Sequence, residues 1–176
     1  KPFQIGSLRI EPLPTPHDAI DGVCFVVEDT HYGLRFGLFT DLGHVFPALR
    51  ETIGTLDAVL LESNYDDTLL RQGPYPQRLK DRISGKRGHI SNDDAAGLLE
   101  LGDASRLQWA CLGHLSADNN SPEVALATHR ERNGNRFPLY CADRHGATRL
   151  PMISQPEFAL HANAGEELHP ARIVSY

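Results

Sequence analysis

The sequence lacks the features that characterise several large functional classes. None of its apolar runs approaches the roughly 20 residues that cross a bilayer, so the sequence predicts no membrane span and no membrane partner. It contains no internal repeat, no glycine-rich phosphate loop and no Gly-x-Ser-x-Gly motif, which argues against a repeat protein, a P-loop enzyme and a serine hydrolase. Its formal net charge of −6 argues against a broad basic surface that coats nucleic acid.

Cysteine is also scarce. Cys24, Cys111 and Cys141 are an odd number, lie far apart, and form no Cys-x-x-Cys pair. Their neighbours are mostly apolar, which predicts buried reduced thiols in a cytoplasmic protein and argues against disulfides or a thiolate metal site. The sequence begins without Met and without a signal-peptide pattern. We therefore expect it to be an interior part of a longer protein.

What the chain does have suits a single globular domain. It has 176 residues, of which 40% are hydrophobic and 23% charged, both ordinary for a folded soluble protein. The charge is uneven, because residues 71–87 carry six basic side chains against one acidic side chain, Asp81. This basic segment is either a local phosphate-binding surface or an ordinary solvated helix face.

Hydrophobic periodicity alternates between strands and helices along residues 1–150. Strands are predicted at 5–13, 23–27, 34–39, 57–61 and 107–112, and helices at 45–53, at 75–84, after a cap at Ser91 or Asn92, and from Pro122 towards Arg130. This alternation predicts an α/β layered domain. Residues 151–176 show little periodicity and are predicted to be a tail or C-terminal extension.

Short polar motifs directly follow several of these strands or precede a helix. They are Pro16-His17-Asp18-Ala19, Thr40-Asp41-Leu42-Gly43, Glu62-Ser63-Asn64-Tyr65-Asp66, Gly88-His89-Ile90-Ser91-Asn92, and His114-Leu115-Ser116 continuing into Asp118-Asn119-Asn120. A strand end is a rigid support, which metal ligands need because bonds of roughly 2 Å tolerate little movement. Imidazole suits zinc and related metals, and one carboxylate can bridge two ions roughly 3.5–4 Å apart.

Each motif also has a structural explanation. His17 could be a turn residue, and Asp41 could bond its own backbone in a turn. Glu62 could be a solvated charge, Asn92 a helix cap, and His114 a core histidine. The order and context of the whole set favour a functional site over these separate explanations.

The ordered motifs resemble the YycJ/WalJ-like branch of the metallo-β-lactamase superfamily. The resemblance covers about residues 1–150 and includes Gly73-Pro74-Tyr75-Pro76 besides the motifs above. It implies an α/β fold that is part of an αββα sandwich, in which mixed sheet is flanked by helices. It also implies a dinuclear metal site at one edge of that sandwich.

The resemblance further implies roles for individual residues. His17, Asp41 and His114 would be metal ligands, with Asp41 bridging two Zn²⁺ ions in an intact site, although Mn²⁺ is an alternative. Glu62 and His89 match the proton-relay pair of the similar tRNase Z layout, in which the carboxylate orients the histidine and the histidine acts as a general acid. Polar neighbours in the same motifs are the expected substrate-binding residues: Asn64, Ser91, Asn92, Ser116, Asn119 and Asn120.

The function implied is a metal-dependent hydrolase, and more narrowly a phosphodiesterase or nuclease that uses a metal-bound hydroxide. Its substrate would be nucleic acid or a small phosphoester. His89 precedes an expected helix N-terminus, which favours phosphate binding.

Two departures from the branch limit this expectation. Tyr65 stands where the branch usually has His, and a phenol cannot replace an imidazole as a ligand or proton shuttle near neutral pH. The superfamily's His-x-His-x-Asp-His run, which supplies four ligands, does not occur in the 176 residues. We therefore expect this chain alone to be inactive and incomplete. The alternative to a metal-dependent hydrolase is a non-catalytic truncated or degenerate remnant that acts only in binding or oligomerisation. An exposed sheet face in the incomplete chain would favour a homo-oligomer.

Overall fold

A seven-stranded mixed sheet organises the fold in the computed structural model, which describes residues 1–101 and 104–155. The strands are β1 (Phe3–Ile5), β2 (Leu8–Pro14), β3 (Val23–Asp29), β4 (Leu34–Phe39), β5 (Ala58–Glu62), β6 (Trp109–Gly113) and β7 (Leu139–Cys141). The helices are α1 (Pro47–Ile53), α2 (Asp67–Gln72), α3 (Gln77–Ile83), α4 (Asn92–Leu101) and α5 (Pro122–Asn133), with a 3₁₀ turn at Ala104–Arg106.

The strand order in the sheet is the order in the chain. Strands β1 to β4 pair antiparallel, whereas β4 to β7 pair parallel. Parallel neighbours need a crossover connection, and α1, the α2–α4 segment and α5 provide the three crossovers. The predicted α/β class, with mixed sheet flanked by helices, is confirmed.

One face of the sheet carries the main core. Val26, Val59 and Ala110 lie in one row on this face, with Gly37 of β4 between Val26 and Val59, and are at most 2% exposed. Leu49 of α1 and Leu98 of α4 belong to the same buried cluster. Because α1 and α4 each present an apolar stripe to the sheet, burial of that stripe stabilises both helices there.

Within residues 1–101 and 104–155, the other face is covered over β5 to β7 and beside Phe36 of β4. Trp109 and Cys111 are buried there, and Leu150 and Ile153 from the segment after β7 pack against them. Residues paired across a sheet point to the same side, so the register places alternate side chains of β1 to β4, including Phe3, Phe25 and Leu38, on this face as well. Among these, Phe3 is 50% exposed and Leu38 39% exposed. Within the part of the chain that the structure describes, this half of the face is therefore an exposed apolar surface.

Three local predictions need correction. The strand predicted over residues 5–13 is confirmed from residue 8 onwards but does not begin at residue 5, because Gly6 has a positive φ of 59° and turns the chain between β1 and β2. The predicted helix starts at residues 45 and 75 are too early, since α1 begins at Pro47 and α3 at Gln77. The residues before them, Phe46 and Pro76, have extended backbone, and proline suits a helix start but not its interior.

Two short elements were not predicted. Helix α2 has six residues and begins after Asp66, whose carboxylate accepts hydrogen bonds from the N–H groups of Thr68 and Leu69. This is a standard N-cap, but too few residues follow for a periodic pattern. Strand β7 has only three residues, and pairing with β6 defines it.

The C-terminal prediction is only partly within the described residues. Ser154 donates its N–H to the Gln108 side chain and accepts a hydrogen bond from it in return. Residues 156–176 lie outside the described part of the chain, so the boundary at residue 150 stays a prediction.

Cys24 and Cys111 are buried free thiols, and burial raises the pKa of each to about 12. Nowhere in the described ranges is there a helix with the length and apolar character to span a membrane.

Candidate metal and catalytic site

Three parallel strands end at one edge of the sheet and place three of the predicted residues together. Asp41 lies two residues after β4, Glu62 is the last residue of β5, and His114 directly follows β6. Register aligns Phe39 with Leu61 and Glu62 with Gly113. Because the strands are parallel, their carboxyl ends meet at the same edge, where ligands usually bind in sheets of this kind.

Asp41 is the centre of a histidine cluster. Its Oδ1 lies 3.5 Å from His17 Nε2, 3.9 Å from His114 Nε2 and 4.0 Å from His89 Nδ1. The His89 ring centroid lies 5.0 Å from that of His17 and 5.1 Å from that of His114. Three imidazoles around one carboxylate are a donor set suited to zinc.

Glu62 lies beneath this cluster and is fully buried. Its Oε1 is 2.6 Å from His89 Nδ1 and 2.9 Å from His114 Nδ1, and its Oε2 accepts the Leu42 N–H at 2.9 Å. Burial alone would raise the pKa of Glu62, but hydrogen bonds from His114, His89 and the Leu42 N–H outweigh it and hold the pKa below its usual range. The carboxylate is therefore ionised. Glu62 is a buried, hydrogen-bonded charge and not a solvated surface charge.

The same contact sets the state of His114. Its hydrogen bond to Glu62 raises the pKa of His114 against the opposing effect of burial, with further attraction from the Glu62 and Asp41 charges. Since Nδ1 bonds Glu62, the nitrogen that faces Asp41 is Nε2. A carboxylate behind a histidine orients a metal ligand in this way.

Two of the predicted ligands have left-handed backbone. Asp41 has a φ of 55° and His114 a φ of 56°. Asp and His tolerate this region better than most residues, but it still costs free energy and is concentrated at functional sites. The backbone thus turns sharply at two strand ends to aim these side chains at one point.

A cavity of about 480 Å³ opens over the cluster. Its floor contains the three histidines and Asp41, and Asn64 and Ser116 line it nearby. Five further residues line the cavity but do not belong to the strand-end motifs: Tyr75, Leu79, Arg82, Ile83 and Arg144. A second cavity of about 770 Å³ shares Arg144 and the His114–Ser116 loop with the first.

Curated relatives match most of the described chain. The chain is 36% identical over 125 residues to "Exodeoxyribonuclease WalJ" of Streptococcus pneumoniae serotype 2 (strain D39), a match that covers 70% of this chain and 45% of the relative. It is 33% identical over 120 residues to "Exodeoxyribonuclease YycJ" of Bacillus anthracis, covering 68% of this chain and 45% of that relative. The chain belongs to the YycJ/WalJ-like branch of the metallo-β-lactamase superfamily.

A solved structure agrees at the level of fold. The 1.98-Å crystal structure of Zn²⁺-bound PqqB from Methylobacterium extorquens superimposes with a TM-score of 0.53 and 16% identity, covering 81% of this chain and 47% of that one. No protein-family model matches the chain. The chain spans less than half the length of the curated relatives that it matches.

The structure brings the five predicted metal and relay residues together, but their roles stay predictions. Two groups of described residues have ligand atoms mutually within 4.8 Å: His17 with Asp41 and His89, and Glu62 with His89 and His114. His89 belongs to both groups, although the family resemblance assigns it to proton transfer. The backbone N–H of Ala19 donates to His17 Nδ1 at 3.1 Å. In the neutral ring, the proton is then on Nε2 and faces Asp41.

The six predicted substrate-binding residues divide into two groups. Asn64 and Ser116 line the first cavity, and Asn120 lines the second. Ser91, Asn92 and Asn119 line neither of these two cavities and are at most 3% exposed. Ser91 caps α4 by accepting the Asp94 N–H, so Asn92 is not the cap. Asn92 bonds Ser63 and Asn120 inside the protein, which favours a supporting role.

Tyr65, the departure from the branch, is buried beside this network. Its backbone pairs with Ser91 and accepts the Asn92 N–H at 2.8 Å. Burial raises the pKa of the Tyr65 phenol, and the nearby charges of Asp67, Asp94 and Glu62 raise it further. The phenol is therefore neutral at physiological pH.

Sequence reasoning missed several residues of the site. His129 contacts Ser63 from α5, and no strand-end motif marks it. Arg144 lies in a loop after β7 and lines both cavities, and its surrounding sequence has no pattern that signals a site. Arg82 was noted only as part of the basic segment. Tyr75 belongs to a motif of the branch for which no role was predicted.

Proposed function

We propose that the cluster around Asp41 is part of the active site of a metal-dependent hydrolase that cleaves phosphodiester bonds in nucleic acid. The observation that carries this proposal is the convergence of three histidines on the Asp41 carboxylate at the floor of an open cavity. The exodeoxyribonuclease names of the curated relatives support a nucleic-acid substrate over a small phosphoester. They concern proteins about twice as long as the matched segment.

The residues present fit a metal ion in chemistry and in support. We propose His17, Asp41 and His114 as ligands, with Asp41 bridging two ions in the whole protein, and Zn²⁺ as the metal with Mn²⁺ as the alternative. When bound, the metal supplies a Lewis acid and lowers the pKa of the attacking water. Coordination through His17 Nε2 requires Nδ1 to carry the proton, so the contact from the Ala19 N–H must open.

His89 and Glu62 are the proposed proton relay. The 2.6 Å contact from His89 Nδ1 to Glu62 Oε1 fixes the tautomer and the orientation of the ring. In the doubly protonated ring, His89 Nε2 is then the atom that gives a proton to the leaving alkoxide. Glu62, which is ionised and buried, positions this histidine and does not itself meet the substrate.

Two arginines on the cavity wall supply positive charge for phosphate. Arg82 lies on α3, and its Nε donates to Asp18 Oδ2 at 2.7 Å, which ties the helix to the His17 loop. Arg144 lies in the loop after β7, and its guanidinium donates to the Leu115 carbonyl. Guanidinium groups bind phosphate oxygens in bidentate geometry. The basic segment of residues 71–87 therefore includes one wall of the cavity.

Metal content tests the ligand assignment. In the whole protein, Asp41→Ala should remove most of the bound metal, because the bridging carboxylate serves both ions. Elemental analysis of the purified protein measures this loss, and circular dichroism checks that the variant is folded. The control is Glu51→Ala, which removes an exposed carboxylate from α1. Near-normal metal content in folded Asp41→Ala would overturn the bridging assignment.

Turnover tests the relay. His89→Ala should lower nuclease turnover by roughly 10²- to 10⁴-fold, the usual contribution of a general acid, with metal content nearly unchanged. His31→Ala, which removes an exposed histidine from the β3–β4 turn, should change neither. Loss of metal in His89→Ala would instead identify His89 as a ligand, as its position in both ligand groups allows. Unchanged turnover would refute the relay.

The 176-residue chain alone has too few ligands for the two-metal site. With the assigned set, each ion has two ligands from this chain, whereas catalytic zinc normally has three from the protein. We therefore expect no hydrolysis by the chain alone, and calorimetric titration should show no tight binding of two zinc ions.

The buried free thiols Cys24 and Cys111 support a cytoplasmic location for the protein.

A further inference from the structure

The cavity has an aromatic and apolar wall that the proposed chemistry does not use. Tyr75, Leu79 and Ile83 line it on the side of α3, and we call these three residues the apolar wall. Tyr75 belongs to Gly73-Pro74-Tyr75-Pro76, the segment that joins α2 to α3. Its aromatic ring thus lies in the same cavity as the histidine cluster and the two arginines.

Tyr75 is fixed at both ends of its side chain. Its hydroxyl donates to Asp118 Oδ2 at 2.6 Å. At the backbone, prolines on both sides restrict its conformation. Gly73 packs tightly there as well, since a Cβ at that position would lie 2.8 Å from Asn119 Oδ1 and from the Leu69 carbonyl oxygen. The ring is therefore held in place before any ligand binds.

An aromatic ring held in this way next to basic side chains fits one part of a nucleotide. Phosphate groups bind arginine and do not need an apolar surface. Nucleobases stack on aromatic side chains, and this contact tolerates any base because every base has a flat face. Leu79 and Ile83 extend the surface on which the base can lie.

We infer that Tyr75 is a base-stacking residue, so that the site takes single-stranded nucleic acid with one unpaired base against the apolar wall. This inference rests on the proposed function and specifies its substrate. A base that is paired and stacked within a duplex cannot lie on Tyr75, because both of its faces are occupied. Small phosphoesters without a base would not use this wall.

Oligomer binding to the 176-residue chain tests the inference separately from catalysis. The probes are a fluorescein-labelled single-stranded oligodeoxythymidylate and an abasic deoxyribose-phosphate oligomer of equal length and charge. Fluorescence anisotropy at fixed, moderate salt with a chelator present measures Kd. The chain should bind the thymidylate more tightly than the abasic oligomer.

Tyr75→Ala should weaken thymidylate binding by roughly 5- to 150-fold, the loss expected for one stacked base, and should leave the abasic oligomer unaffected. Tyr75→Phe retains the ring and should retain most of the preference for thymidylate. The matched control is Tyr32→Ala, because Tyr32 is an exposed tyrosine in the β3–β4 turn, at the opposite edge of the sheet.

The outcomes separate the two proposals. Equal binding of both oligomers by the unchanged chain, or an unaltered preference in folded Tyr75→Ala, overturns the stacking inference and leaves the nuclease proposal in place. Lack of binding to either oligomer also overturns the inference, and the turnover measurements on Asp41 and His89 variants then decide the nuclease proposal independently.

Discussion

At the residue scale, Glu62 organises the site through one buried carboxylate. Its two oxygens receive hydrogen bonds from His89, His114 and the Leu42 backbone. The first two connect the proposed relay to a proposed metal ligand, and the third holds the loop after Asp41. A change at Glu62 should therefore affect both proton transfer and metal geometry, so His89 is the better residue for testing the relay by itself.

His129 belongs to a second buried network directly behind Glu62. Its Nε2 lies 3.2 Å from Ser63 Oγ, and that hydroxyl donates to Asn92 Oδ1 at 2.6 Å. Since the Ser63 proton is used for Asn92, the neutral His129 ring donates from Nε2. Burial lowers the pKa of His129 to about 4, so the ring is uncharged in the folded protein near neutral pH.

This lowered pKa predicts a loss of stability in acid. The unfolded chain binds a proton at His129 below about pH 6.5, whereas the folded protein does so only near pH 4. The contribution of the neutral His129 ring to the free energy of unfolding is therefore fully present above pH 6.5. It is lost as the pH falls towards 4, which lowers the free energy of unfolding by about 2–3 kcal/mol. Urea unfolding near pH 7 and near pH 4.5 should show that His129→Gln, which cannot titrate, loses less stability than the unchanged chain. Equal losses would contradict this prediction.

At the element scale, the turn between α3 and α4 presents His89 to the site. Gly88 lies against the end of α3, where a Cβ would collide with the carbonyl oxygens of Arg82 and Ile83. The His89 N–H donates to the Ile83 carbonyl at 2.8 Å, directly after this contact. The close approach of these two backbone segments thus fixes the position of His89 relative to Glu62.

Two glycine substitutions test this packing. Gly88→Ala should lower the free energy of unfolding by about 1–3 kcal/mol, as overpacking against fixed groups does, because backbone carbonyls cannot easily move aside. Gly97→Ala in α4 is the matched control, since its Cβ would meet only the end of the Arg132 side chain. Alanine also favours the helix over glycine by about 1 kcal/mol. Similar destabilisation of both variants in urea unfolding would contradict the proposed contact at Gly88.

At the scale of the whole molecule, the two faces of the sheet differ. Helices α1 and α4 pack on one face, whereas the β1 to β4 half of the other face exposes Phe3, Val23 and Leu38 in the described part of the chain. A contiguous apolar surface of this kind promotes association between proteins. This supports the expectation that copies of the chain form a homo-oligomer.

We expect the 176-residue chain to self-associate through this face. Leu38→Asp should shift the chain towards monomer in sedimentation experiments, because a charge at the middle of the face resists burial. Leu101→Asp is the control, since Leu101 is more exposed than Leu38 and lies at the end of α4. A monomeric unchanged chain, or equal effects of the two variants, would show that the open face is not an association surface.

Much of this protein could be predicted from its sequence. The β3–β4 pair, the continuous apolar strand that became β5 and the proline-initiated helix α5 depend on local periodicity and local caps, and they lie within a few residues of their predicted positions. The order of polar motifs identified the YycJ/WalJ-like branch, because each motif is a contiguous run of residues. His17, Asp41, Glu62, His89 and His114 were all named from those runs.

Only the tertiary structure decided which of these residues touch. The pairing of β4 with β5 and of β5 with β6 brings Asp41, Glu62 and His114 together, although at least 20 residues separate them in sequence. The sequence likewise contains no local sign that Arg144 lines the cavity or that His129 bonds Ser63. Local patterns depend on residues a few positions apart, whereas these contacts depend on strand register and on crossovers that join distant segments. For that reason the sequence determined the elements and the residue types of the site, and the packed sheet determined their geometry.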